Sequence, residues 1–157
     1  MKTLVVYYSR TGTTKKVGEE ISKLLECDSE EISDIRGRKG FIGYIMAGKE
    51  ASLKQLGRIE KTVKDASSYD LVVIGTPIWS FNMSSPIRRY LTQNKGKFKK
   101  VAFFCTHKGS GGEKAFSEME EVSEVKSIGN LVLSTKEVVV DGFVEKVKVF
   151  VRNISSE

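Results

Sequence analysis

Residues 3–8, Thr-Leu-Val-Val-Tyr-Tyr, form an unbroken apolar run. Past residue 14 the apolar positions fall at Val17, Ile21, Leu24 and Leu25, the spacing of a helix. Between the two lie Ser9, Arg10, Thr11, Gly12, Thr13 and Thr14, with four hydroxyl side chains and one glycine. A continuous apolar strand is one covered on both faces, and a strand that runs straight into a helix returns through a crossover. This opening therefore commits the chain to a parallel sheet with helices on both sides. At the start of the helix several backbone N–H groups lack an intrahelical partner and the dipole is positive, so the bend suits an anion such as a phosphate. Arg10, Lys15 and Lys16 stand where the dipole disfavours positive charge by about 0.3–1 kcal/mol each, with no acid before Glu19. A bound dianion removes that conflict. The alternative is that the lysines point into solvent and Thr13 is an ordinary N-cap. The bend is neither a G-x-G-x-x-G fingerprint nor a G-x-x-x-x-G-K-[ST] loop, which argues against dinucleotide and P-loop chemistry.

Strand and helix patterns then alternate. Residues 27–32 read as a short second strand. Residues 37–56 are a distinctive insertion, with Phe41, Ile42, Tyr44, Ile45, Met46, Leu53 and Leu56 mostly three or four apart. They predict a helix over 41–55, which either covers the sheet or docks a partner. Glycines 40, 43 and 48 each cost such a helix about 1 kcal/mol, so close packing is expected to justify them. Residues 58–68 read as a polar connection, and 69–75 are the strongest strand. That strand ends in a loop framed by the only two prolines, Pro77 and Pro86, and containing Ile78, Trp79, Phe81 and Met83. So much apolar surface in a loop either folds inward or meets a flat ligand. Pro86 fits the first turn of a third helix, with Ser84 or Ser85 as its cap. Residues 100–106 form the fourth strand, followed by His107 and the glycine-rich turn Gly109, Ser110, Gly111 and Gly112. Backbone can approach a ligand closely there. A helix over 113–125, a strand over 131–135 with a possible continuation at 138–140, and a closing helix marked by Val144, Val147, Phe150 and Val151 complete the pattern.

The size of 157 residues fits one domain spanning 1–157. No apolar stretch reaches membrane-spanning length and no signal-type leader is seen, so a cytoplasmic protein is expected. Cys27 and Cys105 show neither disulfide-scaffold nor zinc spacing, and the lone histidine, His107, has no companion for a metal. The net charge of +6 favours acidic or anionic partners without naming one. The clusters Arg36, Arg38, Lys39 and Lys95, Lys97, Lys99, Lys100 lack interleaved aromatics and read as solvated faces, which argues against nucleic acid.

Three ligand-like loops follow the first, third and fourth strands. They converge at one end of an open five-stranded parallel sheet if its order is 2-1-3-4-5, in a three-layer α/β fold. With those loops in place, the chain resembles the flavodoxin family. Ser9-Arg-Thr-Gly-Thr-Thr14 is similar to its phosphate loop, Gly75-Thr-Pro-Ile-Trp79 to its first flavin-flanking loop, and Thr106-His-Lys-Gly-Ser-Gly-Gly112 to its second. The resemblance implies noncovalent FMN, with Ser9, Arg10, Thr11, Gly12, Thr13 and Thr14 around the phosphate. It implies Pro77, Ile78 and Trp79 along the isoalloxazine, and Thr106, Gly109, Ser110, Gly111 and Gly112 on the other side. It also implies an electron carrier between redox proteins, a monomer or weak homodimer, in which the cofactor supplies the chemistry and no side chain is catalytic. The alternative is an FMN-dependent reductase of quinones or other small acceptors, with the acceptor held under residues 37–56. A phosphoacceptor receiver needs aspartates after the first strand, where Tyr7-Tyr8-Ser9 stands instead. The chain departs from the family in its basic charge, in lacking a tyrosine in the third loop, and in having no glycine after Trp79. Asn82 is the expected substitute for that glycine, because asparagine tolerates left-handed backbone.

Overall fold

The structure is a computed structural model that describes residues 1–35 and 40–157, with backbone alone at 40–42 and 44. The basic cluster Arg36, Arg38 and Lys39, and the side chains of Phe41, Ile42 and Tyr44, lie outside what is described. In chain order the elements are β1 (Thr3–Tyr7), α1 (Thr13–Leu24), β2 (Asp28–Glu31), α2 (Gly40–Ser52) and a single 3-10 turn (Ala66–Ser68). There follow β3 (Leu71–Trp79), β4 (Asn82–Met83), α3 (Ser85–Gln93), β5 (Lys100–His107), α4 (Gly112–Ser123), β6 (Ser127–Ser134), α5 (Thr135–Val139) and α6 (Val144–Ser155).

Five parallel strands lie in the order β2-β1-β3-β5-β6, and the two-residue β4 pairs antiparallel with the end of β3 as a sixth strand. Apart from that short addition, this is the expected order. Alternation along each strand builds the layers. Leu4 and Val6 of β1, Val72 and Ile74 of β3, and Phe103 and Cys105 of β5 pack with Ala47, Ala51, Ile87, Tyr90, Leu91, Phe116 and Met119, which belong to α2, α3 and α4. Their neighbours Val5, Tyr7, Leu71, Val73, Ala102 and Phe104 face Val17, Ile21, Val138, Phe143, Val147, Phe150 and Ile154 across the other side.

Three expectations need correction. Val138 belongs to helix α5 and not to a strand, because Ser134 and Glu137 form a reciprocal capping box. The Ser134 N–H donates to the Glu137 carboxylate at 2.8 Å, and the Glu137 N–H donates to Ser134 Oγ at 3.2 Å. Helix α2 ends at Ser52, short of residue 55. Lys54 takes a left-handed φ of 53° and the Gln55 N–H closes back onto the Glu50 carbonyl at 2.9 Å, which stops the helix. Among the described side chains Ala47 and Ala51 pack in the core, while Ile45, Met46 and Leu53 are exposed. Thr13 is the first residue of α1 and its N-cap is Gly12.

The registers bring the carboxyl ends of the central strands level. Tyr7 lies beside Gly75, Pro77 beside Thr106, and His107 beside Ser134. β1 is flanked by β2 on one side and β3 on the other, so chain order reverses there and a crevice opens above the strand ends.

Candidate functional site

Helix α1 begins without a side-chain cap. Gly12 stands at the N-cap with φ 93°, a left-handed conformation that a side chain would resist, and no acid lies in the first turn. The loop before it is braced by its own hydroxyl: the Gly12 N–H donates to Ser9 Oγ at 3.1 Å. The first-turn amides of α1 therefore keep their donors for something else. Thr11 and Thr13 Oγ1 lie 3.4 Å apart, and Thr14 Oγ1 meets Thr106 Oγ1 at 2.8 Å, a buried bond that ties the first loop to the end of β5. The lysines are not aimed at this seat. Lys15 pairs with Glu31 at 2.7 Å, and Lys16 pairs with Asp141 at 2.7 Å while also donating to the Val138 carbonyl. Carboxylates, and not a dianion alone, relieve the charge conflict read in the sequence.

At the end of β3, Thr76 is fully buried. It accepts the Ser84 N–H at 2.9 Å and donates to the Pro77 carbonyl at 2.9 Å, which fixes the path of Pro77-Ile78-Trp79. Ser84 holds the N-cap position of α3, with Pro86 in the first turn. Most of the apolar loop folds inward: Met83 is fully buried and Trp79 is 6% exposed, its ring edge-on to Tyr8 at 5.4 Å and 88°. Phe81 stays 58% exposed. The chain reverses from β3 into β4 through Ser80 at φ 48° and Phe81 at φ 63°, the two positive angles of a tight hairpin turn. Left-handed backbone is thus carried by Ser80 and Phe81, whereas the expected residue, Asn82, is extended in β4. Asn82 instead donates its amide to the Ser80 carbonyl at 2.7 Å.

These loops form an open cleft lined by Arg10, Thr11, Thr13, Thr14, Pro77, Ile78, Trp79 and Thr106 from the sequence-derived set. His107, Lys108 and Thr135 complete it and were not among the expected cofactor-binding residues, although His107 and Lys108 lie in the stretch compared with the second flavin-flanking loop. His107 and Lys108 could have been found as neighbours of Thr106. Thr135 enters because β6 delivers it there, and its hydroxyl donates to the His107 carbonyl at 3.2 Å. Ser9 and Gly12 are not in its lining and form the brace just described. Gly109, Ser110, Gly111 and Gly112 are not in its lining. Gly111, at φ 107°, backs onto the Phe81 turn, where an added Cβ would come within 2.9 Å of the Phe81 Cα. Gly112 opens α4, packed close to Cys105 and Val132. A second cavity, of about 260 Å³, shares Ile78 and Trp79 with the first and continues to Ile45, Gly48 and Lys49 of α2 and to Ser80.

Burial raises the Cys105 thiol to about 12, so it stays protonated and inert behind the strands. The Tyr7 hydroxyl is also raised, first by burial and then by Glu31 and Glu19. Among the described residues no cluster of His, Cys, Asp or Glu is placed to hold a metal, and no helix is long and apolar enough to cross a membrane.

The geometry has close parallels among solved structures. A flavoprotein from Lactobacillus acidophilus NCFM, crystallised in complex with FMN, is 28% identical and matches 94% of this chain and 98% of its own, with a TM-score of 0.72. The solution structure of two-electron reduced Megasphaera elsdenii flavodoxin matches 83% of this chain and 85% of its own at 22% identity and a TM-score of 0.53. An NADH:FMN oxidoreductase matches 99% of this chain and 90% of its own at 14% identity and a TM-score of 0.63, a likeness of fold. No curated protein matches the chain in sequence. The family model described as flavodoxin matches residues 2–147, nearly the whole length. The chain belongs to the flavodoxin family.

Proposed function

We propose that this protein binds FMN noncovalently along the cleft and serves as an electron-transfer flavoprotein working between redox proteins. The observation that carries this reading is the meeting, in one cleft, of an uncapped helix start ringed by hydroxyls with a wall made of Pro77, Ile78 and Trp79. The donor set suits the cofactor: amides of the first turn of α1, with the hydroxyls of Thr11, Thr13 and Thr14, match a dianionic phosphate, and Arg10 adds the charge. Ser9 and Gly12 hold the loop in shape. Ile78 and Trp79 give the ring an apolar face, and Thr106 and Thr135 add hydroxyls to the same lining. Gly111 backs the Phe81 turn and Gly112 packs on Cys105 and Val132, and the Gly109–Gly112 loop is proposed to close over the flavin from the end of β5. When bound, FMN supplies the one- or two-electron chemistry, and the protein binds it, orients it and keeps water from its buried side.

The purified protein is expected to be yellow, with a chromophore that acid releases. Replacing Thr11 by Ala is expected to weaken FMN by about tenfold to a hundredfold, because a hydrogen bond to a charged group contributes about 1.5–3 kcal/mol, while riboflavin binding changes little. Trp79→Ala is expected to weaken both flavins. Equal losses from Thr11→Ala would place the phosphate elsewhere. The second reading, a reductase of small acceptors, is favoured by the cavity that continues past Trp79. Sustained oxidation of a nicotinamide by the purified protein with added quinone would establish that reading over the carrier.

A further inference from the structure

We infer that the cavity between α2 and the β3–β4 turn is a second ligand site, one that takes a planar aromatic small molecule carrying a single negative charge. It builds on the reading of the adjoining cleft as the FMN seat, since Ile78 and Trp79 wall both spaces. A molecule in the second cavity therefore touches residues that are also proposed to face the flavin.

Three features define what fits. The walls are Ile45, Ile78 and Trp79, a branched and aromatic lining that favours a flat apolar body. The polar residues of the lining are Lys49 and Ser80, and among the described residues no acidic one lines the space. Lys15 and Lys16, near the phosphate cleft, are each neutralised by a carboxylate, whereas Lys49 has no carboxylate partner among the described residues. A positive charge at the rim of an apolar slot selects an anion over its neutral isostere. The third feature is the closeness of the helix to the turn. An added Cβ at Gly48 would stand 3.2 Å from Ser80 Oγ, so the absence of a side chain there lets α2 come down onto the turn. The turn itself is held in two left-handed residues, Ser80 and Phe81, that point the Ser80 end of the hairpin toward Gly48.

The test uses the FMN-loaded protein and isothermal titration with two redox-inert probes, naphthalene-2-carboxylate and its neutral amide. Wild type is expected to bind the carboxylate about tenfold more tightly than the amide. Lys49→Met is expected to abolish that preference while leaving the amide unchanged, and Lys49→Arg to keep it. Gly48→Leu, which fills the space, is expected to weaken both probes. FMN affinity, read separately by absorbance, is expected to be the same in all of them, which separates failure of this site from failure of the FMN reading. Equal affinity for acid and amide in wild type, an undiminished preference in Lys49→Met, or probe binding seen with protein stripped of FMN and absent from the FMN-loaded protein would each overturn the assignment; the last would make this cavity part of the flavin seat.

Discussion

Thr14 and Thr106 stand 92 residues apart in sequence and meet hydroxyl to hydroxyl at 2.8 Å, both almost fully buried. A buried hydroxyl left without its partner costs about 1–3 kcal/mol, whereas removing both partners is nearly neutral. Thr14→Val is therefore expected to lower unfolding stability by about 1–3 kcal/mol and to loosen the first loop against β5. The double variant Thr14→Val, Thr106→Val is expected to regain much of that loss. Denaturant midpoints for the four species of the cycle check it, and strictly additive losses would mean that the two hydroxyls do not interact. Ser80 carries a different kind of cost. A left-handed angle disfavours an L-residue by about 1–2 kcal/mol, while glycine's extra freedom in the unfolded chain returns about 0.4–1 kcal/mol of disadvantage. Ser80→Gly is expected to raise the unfolding midpoint modestly, by up to about 1 kcal/mol. Local order in one strained turn was not legible in the sequence, because neither serine nor phenylalanine advertises positive φ. The general rule pointed to Asn82, and the hairpin pairing of Trp79 with Asn82 overrode it.

At the scale of elements, strands with continuous apolar runs and helices with clear periodicity were legible, since burial on both faces leaves one pattern that fits. The failures came where short-range chemistry outweighs pattern. Residues 138–140 look like a strand by composition, but Ser134-Thr-Lys-Glu137 is a capping box that starts a helix, and that signal stood in the sequence. The Glu137 carboxyl is held down to about 2, first by Lys146 and then by the N–H and hydroxyl of Ser134. Its ordinary value is 4.5, so the stabilisation it contributes is present above that pH and disappears as pH falls through about 2. The side chain is 33% exposed, so screening limits the effect to about 1 kcal/mol or less. Glu137→Gln is expected to be less stable than wild type at neutral pH, with the gap closing between pH 4.5 and about 2. Chemical denaturation at several pH values checks the window, and a gap that persists below it would show that charge is not the source. The walls of the cleft were legible at the level of elements too: the first loop and Pro77-Ile78-Trp79 lie where strand ends meet. Thr135 was not, because its place depends on the register of β6 against β5.

For the whole molecule, the decisive quantity is the net charge of +6, which composition states plainly but which no local motif explains. Long-range attraction between two proteins depends on such charge, and salt removes it: from about 0.01 M to about 1 M the screening length shrinks from about 30 Å to about 3 Å. A carrier that meets an acidic redox protein therefore owes its encounter rate to electrostatic steering, whereas a small neutral acceptor reaching the cavity by Trp79 owes it none. The exposed apolar side chains Ile45, Met46 and Phe81 persist at any salt and supply contact area without steering. The expectation is that reoxidation of the reduced, FMN-loaded protein by an acidic redox protein slows by at least tenfold across that salt range, while reoxidation by a neutral quinone changes less than twofold. Stopped-flow absorbance at the flavin band measures both. If the protein acceptor proves insensitive to salt while the quinone remains fast at every concentration, the basic charge has no part in partner choice. Electrons would then leave through the small-molecule cavity, which would make the reductase reading the better account of this flavodoxin.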